Sequence, residues 1–342
     1  IKDDPYYISA IGALGEGSSN SLSKDTDLAL AIGTKLADFT TGSWANFENP
    51  NFKLVSVNTA RYDTTKHLAT PVISDAKVGL LKISEALGDW KAPDDWYKRA
   101  IKERDEWDAY VEKQSGPTNQ EEPSYAHAVG AVYRNSDPSD IVVTAAGGLV
   151  GEVVQVWKPM QLNTFETEWG FSCMGYEISG ALGIKMAKPD QDVVVFVGDG
   201  SYLLNNSDIY SSVIYDQKLI IIVCDNGGHM VINRLQLAKG GKEYICNLRA
   251  ARATNIQFVD FENHAKSMGA NAETVSSTSE LEAAYKRAKA SDKTYVISIK
   301  THGYEWLEGT AFWESPTLQE PINENNKNCL LYTSPSPRDL RA

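Results

Sequence analysis

The sequence predicts an α/β protein with two parallel-sheet domains. Short, uninterrupted apolar runs rich in β-branched residues are typical of buried parallel strands, and Val193–Val197 and Leu219–Cys224 are two such runs. The segment between them, about Ser207–Tyr215, is long enough for a crossover helix, so the three together predict a βαβ unit. Similar runs alternate with helical segments elsewhere in the chain, and this alternation favours parallel sheets with helices on both faces.

The first predicted domain covers residues 1–89 and contains about three parallel strands. The predicted strands are Ile8–Ile11, Leu28–Ile32, taken as buried, and Lys53–Val57. A helix is predicted over Asp75–Leu87, because its apolar residues recur at helical spacing and Asp75 can cap the first turn. The cluster of Gly12, Gly15 and Gly17 fits either a tight turn or a nucleotide-binding loop, and a bound flavin is left open.

Residues 90–123 are predicted to link the two domains. This stretch is highly charged, carries Trp96, Trp107 and Tyr110 along a helical segment, and ends in the Pro- and Gly-containing sequence SGPTNQEEP. We expect its aromatic side chains to pack on the domains.

The second predicted domain covers residues 124–314. Its predicted strands are Ile141–Thr144, Val193–Val197, Leu219–Cys224, Thr274–Val275 and Thr294–Ile299. Its predicted helices are Ala126–Tyr133, one within Phe171–Lys188, the crossover helix, Phe258–Met268 and Ser279–Ala290. Ser279 and Glu282 have the spacing of a capping box at the start of the last helix.

Composition and charge argue against several classes of protein. A formal net charge of −12 and a pI near 5.0 argue against a nucleic-acid-binding surface, and no apolar run reaches the roughly 20 residues of a membrane span. The 4 cysteines form no CxxC pair, which favours a reducing, cytoplasmic compartment and no zinc site. Residues 315–342 form a tail, and its last part, 329–342, is interpreted as read-through of a sequencing adaptor and is excluded from the fold; a natural disordered tail is the alternative.

The predicted functional site lies where the strands of the βαβ unit end. The first strand runs into Gly198-Asp199-Gly200, and the second runs into Asp225-Asn226-Gly227-Gly228. Asp199 and Asn226 can converge although they are 27 positions apart (226 − 199), because parallel strands share one carboxyl edge. Carboxylate, amide and main-chain oxygens suit Mg²⁺, which proteins often hold together with a phosphate. An ordinary nucleotide-binding βαβ unit is the alternative.

These loops resemble the cofactor motif of the acetohydroxyacid-synthase-like thiamine-diphosphate enzymes. That motif reads GDG and then, about two dozen residues later, NN; here the 24 residues Ser201–Cys224 separate Gly200 from Asp225, which replaces the first Asn. The resemblance implies a Rossmann-like middle domain followed by a thiamine-diphosphate-binding fold.

Further segments carry the same resemblance. Residues 11–42 resemble the middle domain of the family, and Glu168–Gly183 resembles the segment before the crossover. The amino-acid sequences of this segment and of Thr301–Glu314 most resemble those of the family members that open the ring of a cyclic 1,2-diketone in inositol catabolism.

The resemblance implies thiamine diphosphate and Mg²⁺ as cofactors. Asp199, Asn226 and the carbonyl of Gly228 would hold the metal. The diphosphate pocket would be lined by Gly147, Gly148, Gly200, Ser201 and Gly228. Met174 lies where the family places the apolar side chain that bends the cofactor, and a flexible thioether suits that role. His229 follows the metal loop, and its role is left open between ligand contact and surface.

The implied reaction is hydrolysis of a C–C bond in a small polyhydroxylated cyclic diketone. The alternatives are a carboligase of the acetohydroxyacid synthase type and a non-catalytic α/β binding module. In the family, a Glu from an N-terminal pyrimidine-binding domain activates the cofactor, and the active site forms between two subunits. Nothing in this sequence resembles that domain. We therefore expect a fragment without catalytic residues of its own, inactive alone, from a homodimer or homotetramer.

Overall fold

The computed structural model describes residues 4–168, 170–251 and 255–313. Within them, one compact unit comprises 4–113 together with 307–313, and a second comprises 114–306. The predicted tail at 315–342, with the proposed adaptor read-through at 329–342, lies outside the described residues. The prediction of an α/β protein with two parallel sheets is confirmed.

A three-stranded parallel sheet forms the first unit's framework. Its strands, in spatial order, are β1 (Leu28–Ile32), β2 (Lys53–Asn58) and β3 (Thr70–Ile73). Its helices are α1 (Gly17–Asp25), α2 (Asp38–Thr41), α3 (Arg61–Thr65), α4 (Ala76–Leu87) and α5 (Asp94–Gln114). Asp75 caps α4 as predicted, because its carboxylate accepts a hydrogen bond of 3.1 Å from the Val78 N–H.

The third strand of this sheet is Thr70–Ile73, so the prediction of a strand at Ile8–Ile11 was wrong. The carbonyl of Ala10 accepts the Glu16 N–H at 2.9 Å, and the carbonyl of Ile8 accepts the Ser19 hydroxyl at 2.9 Å. These carbonyls serve the start of α1 instead of a neighbouring strand, which satisfies the same backbone groups locally.

The prediction that β1 is a buried strand was also wrong for the described chain. Ala31 packs against Leu36 and Leu54 in a small core, but Leu28 and Leu30 are 53% and 40% exposed. The cause is the two-residue period of a strand, which directs alternate side chains to opposite faces of the sheet. Within the described residues, only one face of β1 is covered.

Residues 307–313 pack within the first unit, although the sequence analysis placed them in the second domain. The Gly309 carbonyl accepts the Asn20 side-chain amide at 2.9 Å, and the Ala311 N–H donates to the Gly12 carbonyl at 3.0 Å. A Cβ added to Gly12 would lie 2.2 Å from the carbonyl oxygen of Phe39. Close packing against the protein backbone therefore explains Gly12, and this favours the tight-turn interpretation of the glycine cluster.

A six-stranded parallel sheet forms the second unit's framework. Its strands are β4 (Ile141–Thr144), β5 (Phe165–Thr167), β6 (Val193–Gly198), β7 (Ile220–Asp225), β8 (Asn271–Val275) and β9 (Tyr295–Lys300), in the spatial order β5-β4-β6-β7-β9-β8. Its helices are α6 (Tyr125–Tyr133), α7 (Gly147–Val156), α8 (Tyr176–Ala187), α9 (Asp199–Leu204), α10 (Ser207–Ile214), α11 (Met230–Ala238), α12 (Phe261–Ser267) and α13 (Thr278–Ala290). The predicted βαβ unit corresponds to β6, α10 and β7, with α9 as an additional short helix.

The cap of α13 lies two positions before the predicted one. The Ser277 hydroxyl accepts the Glu280 N–H at 3.2 Å, and the Glu280 carboxylate accepts the Ser276 N–H at 2.8 Å. The prediction of a capping box at Ser279 and Glu282 was therefore wrong, because an equivalent Ser-x-x-Glu pattern begins two residues earlier, at Ser277.

The paired register of β6 and β7 places the two motif loops side by side. Val197 pairs with Val223 and Gly198 with Cys224, so Asp199 and Asp225 emerge at the same edge of the sheet. The side chains of β6 before Gly198 are fully buried, as the unbroken apolar run predicts. In the residues that the structure describes, no helix is both long and apolar enough to cross a bilayer.

Candidate functional site

Asp199 is the first residue of α9 and lies directly after β6. Its side chain is buried, with 6% of its surface exposed. Burial, and then the nearby negative charge of Asp225, raise the pKa of Asp199 to about 7. The N–H groups of Gly200 and Gly228 face the carboxylate and partly offset this rise. The site thus concentrates negative charge at a buried position, which favours a cation there.

Asn226 and Asp225 reach the same edge from β7. Burial raises the pKa of Asp225, whose carboxylate accepts the Gly227 N–H at 3.0 Å and so shapes the turn. The Asn226 amide nitrogen donates to the Tyr125 hydroxyl oxygen at 2.5 Å. The other side of that amide, Oδ1, is buried and has no hydrogen-bond partner among the described residues. A buried acceptor without a donor is costly, so this oxygen is suited to a ligand.

The Gly228 loop is fixed by main-chain contacts. Gly228 has a φ of +145°, and a Cβ there would lie 2.3 Å from the carbonyl oxygen of Cys246. That carbonyl accepts the His229 N–H at 2.8 Å, and Gly228 forms a β-bridge with Asn247. Only glycine fits this close approach, because any side chain would displace the neighbouring segment. The loop therefore holds the Gly228 backbone beside Asp199.

Gly200, Met174 and His229 come together although the sequence separates them. A Cβ added to Gly200 would lie 2.5 Å from Cε1 of His229 and 3.4 Å from Cε of Met174. Met174 is 38% exposed, and His229 is also exposed, so both side chains line an open surface above Gly200. A side chain at Gly200 would collide with the His229 ring, so glycine is needed for the His229 ring to lie this close to the start of α9.

Gly147 and Gly148 begin α7, and Ala145 and Ala146 separate them from the end of β4. Gly147 has a φ of +79°, and a Cβ there would meet no atom within 4 Å. A Cβ on Gly148 would make only an ordinary contact, 3.5 Å, with Val231. Both glycines thus leave their main chain accessible. The backbone conformation itself favours glycine at Gly147, because of its positive φ, but not at Gly148.

Glu177 is a site residue that the sequence analysis missed. It lies in the first turn of α8 and is buried, and its carboxylate accepts hydrogen bonds from Ala146, Gly175 and Ser201. The Ser201 hydroxyl donates its proton to Glu177 at 2.9 Å and accepts the Gly175 N–H at 3.2 Å. The Ser201 hydroxyl proton is therefore held by Glu177 and is not available to a ligand. A buried acidic residue in a small-residue helix was the available sequence signal.

The chain matches two domain families of thiamine-dependent enzymes. Residues 145–299 match the family described as thiamine pyrophosphate enzyme, C-terminal TPP binding domain. Residues 1–83 match the family described as thiamine pyrophosphate enzyme, central domain. The chain carries both of these thiamine pyrophosphate enzyme domains.

Curated relatives match most of the chain. The 3D-(3,5/4)-trihydroxycyclohexane-1,2-dione hydrolase of Bacillus licheniformis is 33% identical, over 89% of this chain and 52% of that protein. The enzyme of the same name from Lacticaseibacillus casei is 31% identical, over 91% of this chain and 52% of that protein. The chain thus spans about half the length of the curated relatives that it matches.

A solved structure shares the fold. The thiamine diphosphate-dependent 4-hydroxybenzoylformate decarboxylase of Rhodococcus jostii RHA1 superposes with a TM-score of 0.64 at 16% sequence identity. The match covers 82% of this chain and 50% of that chain. At this identity the similarity concerns the fold alone.

The residues at the β6–β7 edge fit a diphosphate and a divalent cation. Asn226 offers an unpartnered buried oxygen, Asp199 offers a carboxylate, and the main chain of Gly228 lies beside Asp199, with its N–H directed at that carboxylate. The described residues contain no cluster of three His, Cys, Asp or Glu side chains that could hold a metal. A cation here would therefore depend on the Asp199 carboxylate together with amide, main-chain and phosphate oxygens, which is a set that Mg²⁺ accepts.

Proposed function

We propose that the second unit binds thiamine diphosphate through Mg²⁺. The single observation that carries this proposal is the buried, unpartnered Oδ1 of Asn226 at the same sheet edge as Asp199. Asp199, Asn226 and the carbonyl of Gly228 hold the metal, and the metal neutralises the diphosphate. The match of 145–299 to a TPP-binding domain supports the same assignment.

The open surface around Gly200 accepts the rest of the cofactor. Gly147 and Gly148 leave room for close approach of the diphosphate, because a Cβ at Gly147 would meet no atom within 4 Å and one at Gly148 would meet only Val231, at 3.5 Å. At Gly200 and Ser201 the main chain is the proposed contact, since the His229 ring already lies 2.5 Å from where a Cβ of Gly200 would be. Met174 contacts the cofactor with its flexible thioether and orients it. When bound, thiamine diphosphate supplies the carbon nucleophile and the electron sink for cleavage of a C–C bond.

The proposed reaction is the hydrolysis of trihydroxycyclohexane-1,2-dione. The bond between its two carbonyl carbons breaks, one water molecule is consumed, and the product is a ring-opened aldehyde acid, 5-deoxyglucuronate. The curated relatives match about 90% of this chain, and their names support this substrate. Because the chain spans about half of those relatives, we infer that the activating Glu comes from a further domain, in a cytoplasmic homodimer or homotetramer.

Product analysis in ¹⁸O-labelled water tests the reaction. The chain is supplemented with the part of the Bacillus licheniformis relative that it does not match, and the complete relative serves as the positive control. The proposal predicts one ¹⁸O atom in the carboxylate of each ring-opened product, only with thiamine diphosphate and Mg²⁺, and none with the chain alone. A product that joins two substrate molecules would indicate a carboligase, and no cofactor-dependent consumption beside an active control would contradict the assignment.

A further inference from the structure

Glu177 connects three separate loops of the second unit. Its Oε1 accepts the Ala146 N–H at 3.2 Å and the Ser201 hydroxyl at 2.9 Å. Its Oε2 accepts the Gly175 N–H at 2.8 Å. The Glu177 side chain is only 1% exposed, so water could not replace these hydrogen bonds if they were lost. One carboxylate thus fixes the turn after β4, the turn before α8 and the first turn of α9.

Each of these loops carries residues that we assign to the cofactor. Ala146 precedes Gly147 and Gly148, Gly175 follows Met174, and Ser201 follows Gly200. The segments that carry the diphosphate residues and Met174 are therefore joined through the carboxylate of Glu177.

A carboxylate at this position loses its hydration on burial, which costs free energy that an apolar side chain would not lose. Burial raises the pKa of Glu177, while hydrogen bonds from Ser201 and Gly175 favour its ionised form. Replacement by an apolar side chain would leave those donors unpaired in a buried environment, which is also unfavourable. The neighbours of Glu177 on α8, such as Ile178 and Ala181, are ordinary core residues without such contacts.

We propose that Glu177 is a positioning residue that sets the distance between Met174 and the diphosphate loops. The inference rests on the proposed cofactor site and goes further, because it assigns a residue outside the metal and diphosphate ligands. Both oxygens of Glu177 already accept protein donors, so it acts through Met174 and Ser201 and not by touching the cofactor.

Two measurements on the Glu177→Gln chain test this role. Hydrogen–deuterium exchange without ligand should accelerate at Ala146 and Gly175, since an amide group replaces one accepting oxygen with a donor. Calorimetric titration should show roughly 10- to 100-fold weaker binding of Mg²⁺–pyrophosphate and of Mg²⁺–thiamine diphosphate, the range found when a supporting residue of a metal site is removed. The melting temperature is recorded for each variant.

Matched variants separate positioning from a general loss of structure. Glu273→Gln also removes a carboxylate that accepts hydrogen bonds from Arg287 and Tyr295, but on the edge strand β8, and should leave the affinity unchanged. Ser201→Ala removes the 3.2 Å contact with the Gly175 N–H, but Glu177 still accepts that N–H at 2.8 Å and the Ala146 N–H at 3.2 Å. If Glu177 holds these two loops, exchange at both N–H groups should stay close to that of the unsubstituted chain, and accelerated exchange would assign the role to Ser201; this comparison keeps the proposal testable if Glu177→Gln does not fold.

The outcomes distinguish this role from the proposed function. Faster exchange at both loops together with weaker binding supports positioning. Unchanged exchange, or a lower melting temperature with unchanged affinity, would show that Glu177 is a structural residue only and would overturn the proposal. If the unsubstituted chain binds neither ligand, the proposed function fails, and the exchange comparison alone decides whether Glu177 ties the loops together.

Discussion

The Asn226 amide nitrogen donates a hydrogen bond of 2.5 Å to the hydroxyl oxygen of Tyr125, 101 positions earlier in the sequence. Because the nitrogen is held in this way, the amide oxygen points away from Tyr125 and stays without a protein partner. Burial raises the pKa of Tyr125 well above its ordinary value, so its hydroxyl stays protonated at neutral pH. Tyr125 therefore determines which atom of Asn226 is presented to a cation.

Tyr125→Phe should weaken Mg²⁺-dependent binding of thiamine diphosphate by about tenfold, because the Asn226 amide loses its orienting partner. Calorimetric titration at fixed Mg²⁺ measures the change. Tyr133→Phe is the matched control. It also removes a hydroxyl that forms a hydrogen bond, but that hydroxyl donates to the Lys158 carbonyl at 3.2 Å and not to Asn226. Equal affinities for Tyr125→Phe and the unsubstituted chain would show that Tyr125 does not orient Asn226.

Gly228→Ala should abolish Mg²⁺-dependent binding. Its Cβ would lie 2.3 Å from the Cys246 carbonyl oxygen, so the loop that presents the Gly228 carbonyl must move. Gly198→Ala is the control, because Gly198 has a φ of −77° and a Cβ there would meet no atom within 4 Å. Titration of both variants checks the prediction, and normal binding by Gly228→Ala would remove Gly228 from the ligand set.

Met174→Ala should weaken the binding of thiamine diphosphate by about fivefold, since roughly 1 kcal/mol of apolar contact is lost. It should leave the binding of Mg²⁺–pyrophosphate unchanged, because pyrophosphate lacks the rings that Met174 contacts. Met186→Ala removes another exposed methionine, on α8, and controls for the general effect of the substitution. A parallel loss for both ligands would argue that Met174 supports the loops and not the rings of the cofactor.

The stability of the ligand-free chain should fall as the pH rises from 3.8 to about 7, because burial raises the pKa of Asp199 from the first value to the second. A carboxyl group with a raised folded-state pKa contributes stability that is fully present below its unfolded pKa and lost above its folded pKa. The loss is at most about 4 kcal/mol, from a shift of roughly three pKa units.

Asp199→Asn should remove the part of this dependence that Asp199 contributes and stabilise the ligand-free chain above about pH 7, while Asp225 and Glu177, whose pKa values burial also raises, keep theirs. Chemical denaturation at several pH values measures the effect, and Asp190→Asn, which removes an exposed carboxylate, is the control. If both variants show the pH dependence of the unsubstituted chain, Asp199 is not the titrating group.

The sequence was sufficient to predict the β6–β7 edge because the signals are local. Unbroken β-branched runs mark the strands, and the residues that follow them, Asp199 and Asn226, necessarily lie at one edge of a parallel sheet. Gly228 was predicted by resemblance, and the contact with Cys246 supplies the physical reason for a glycine there.

Other features depend on contacts between distant segments and leave no local pattern. Glu177 joins segments around residues 146, 175 and 201, and Tyr125 bonds to Asn226 although 101 positions separate the two in the sequence. Likewise, Ile8–Ile11 has the composition of a strand, but its carbonyls are taken by α1. In each case the role of the residue depends on its hydrogen-bond partner elsewhere in the chain, which the local sequence does not reveal.

Calorimetric titration of the chain with thiamine diphosphate tests the central claim most directly. It compares titrations with Mg²⁺ and with a chelator, for the unsubstituted chain and for Asp199→Ala. Our account predicts binding that requires both Mg²⁺ and Asp199. Binding of equal affinity in the chelator or by Asp199→Ala, or no binding by the unsubstituted chain with Mg²⁺, would contradict the assignment of the cofactor site to the ends of β6 and β7.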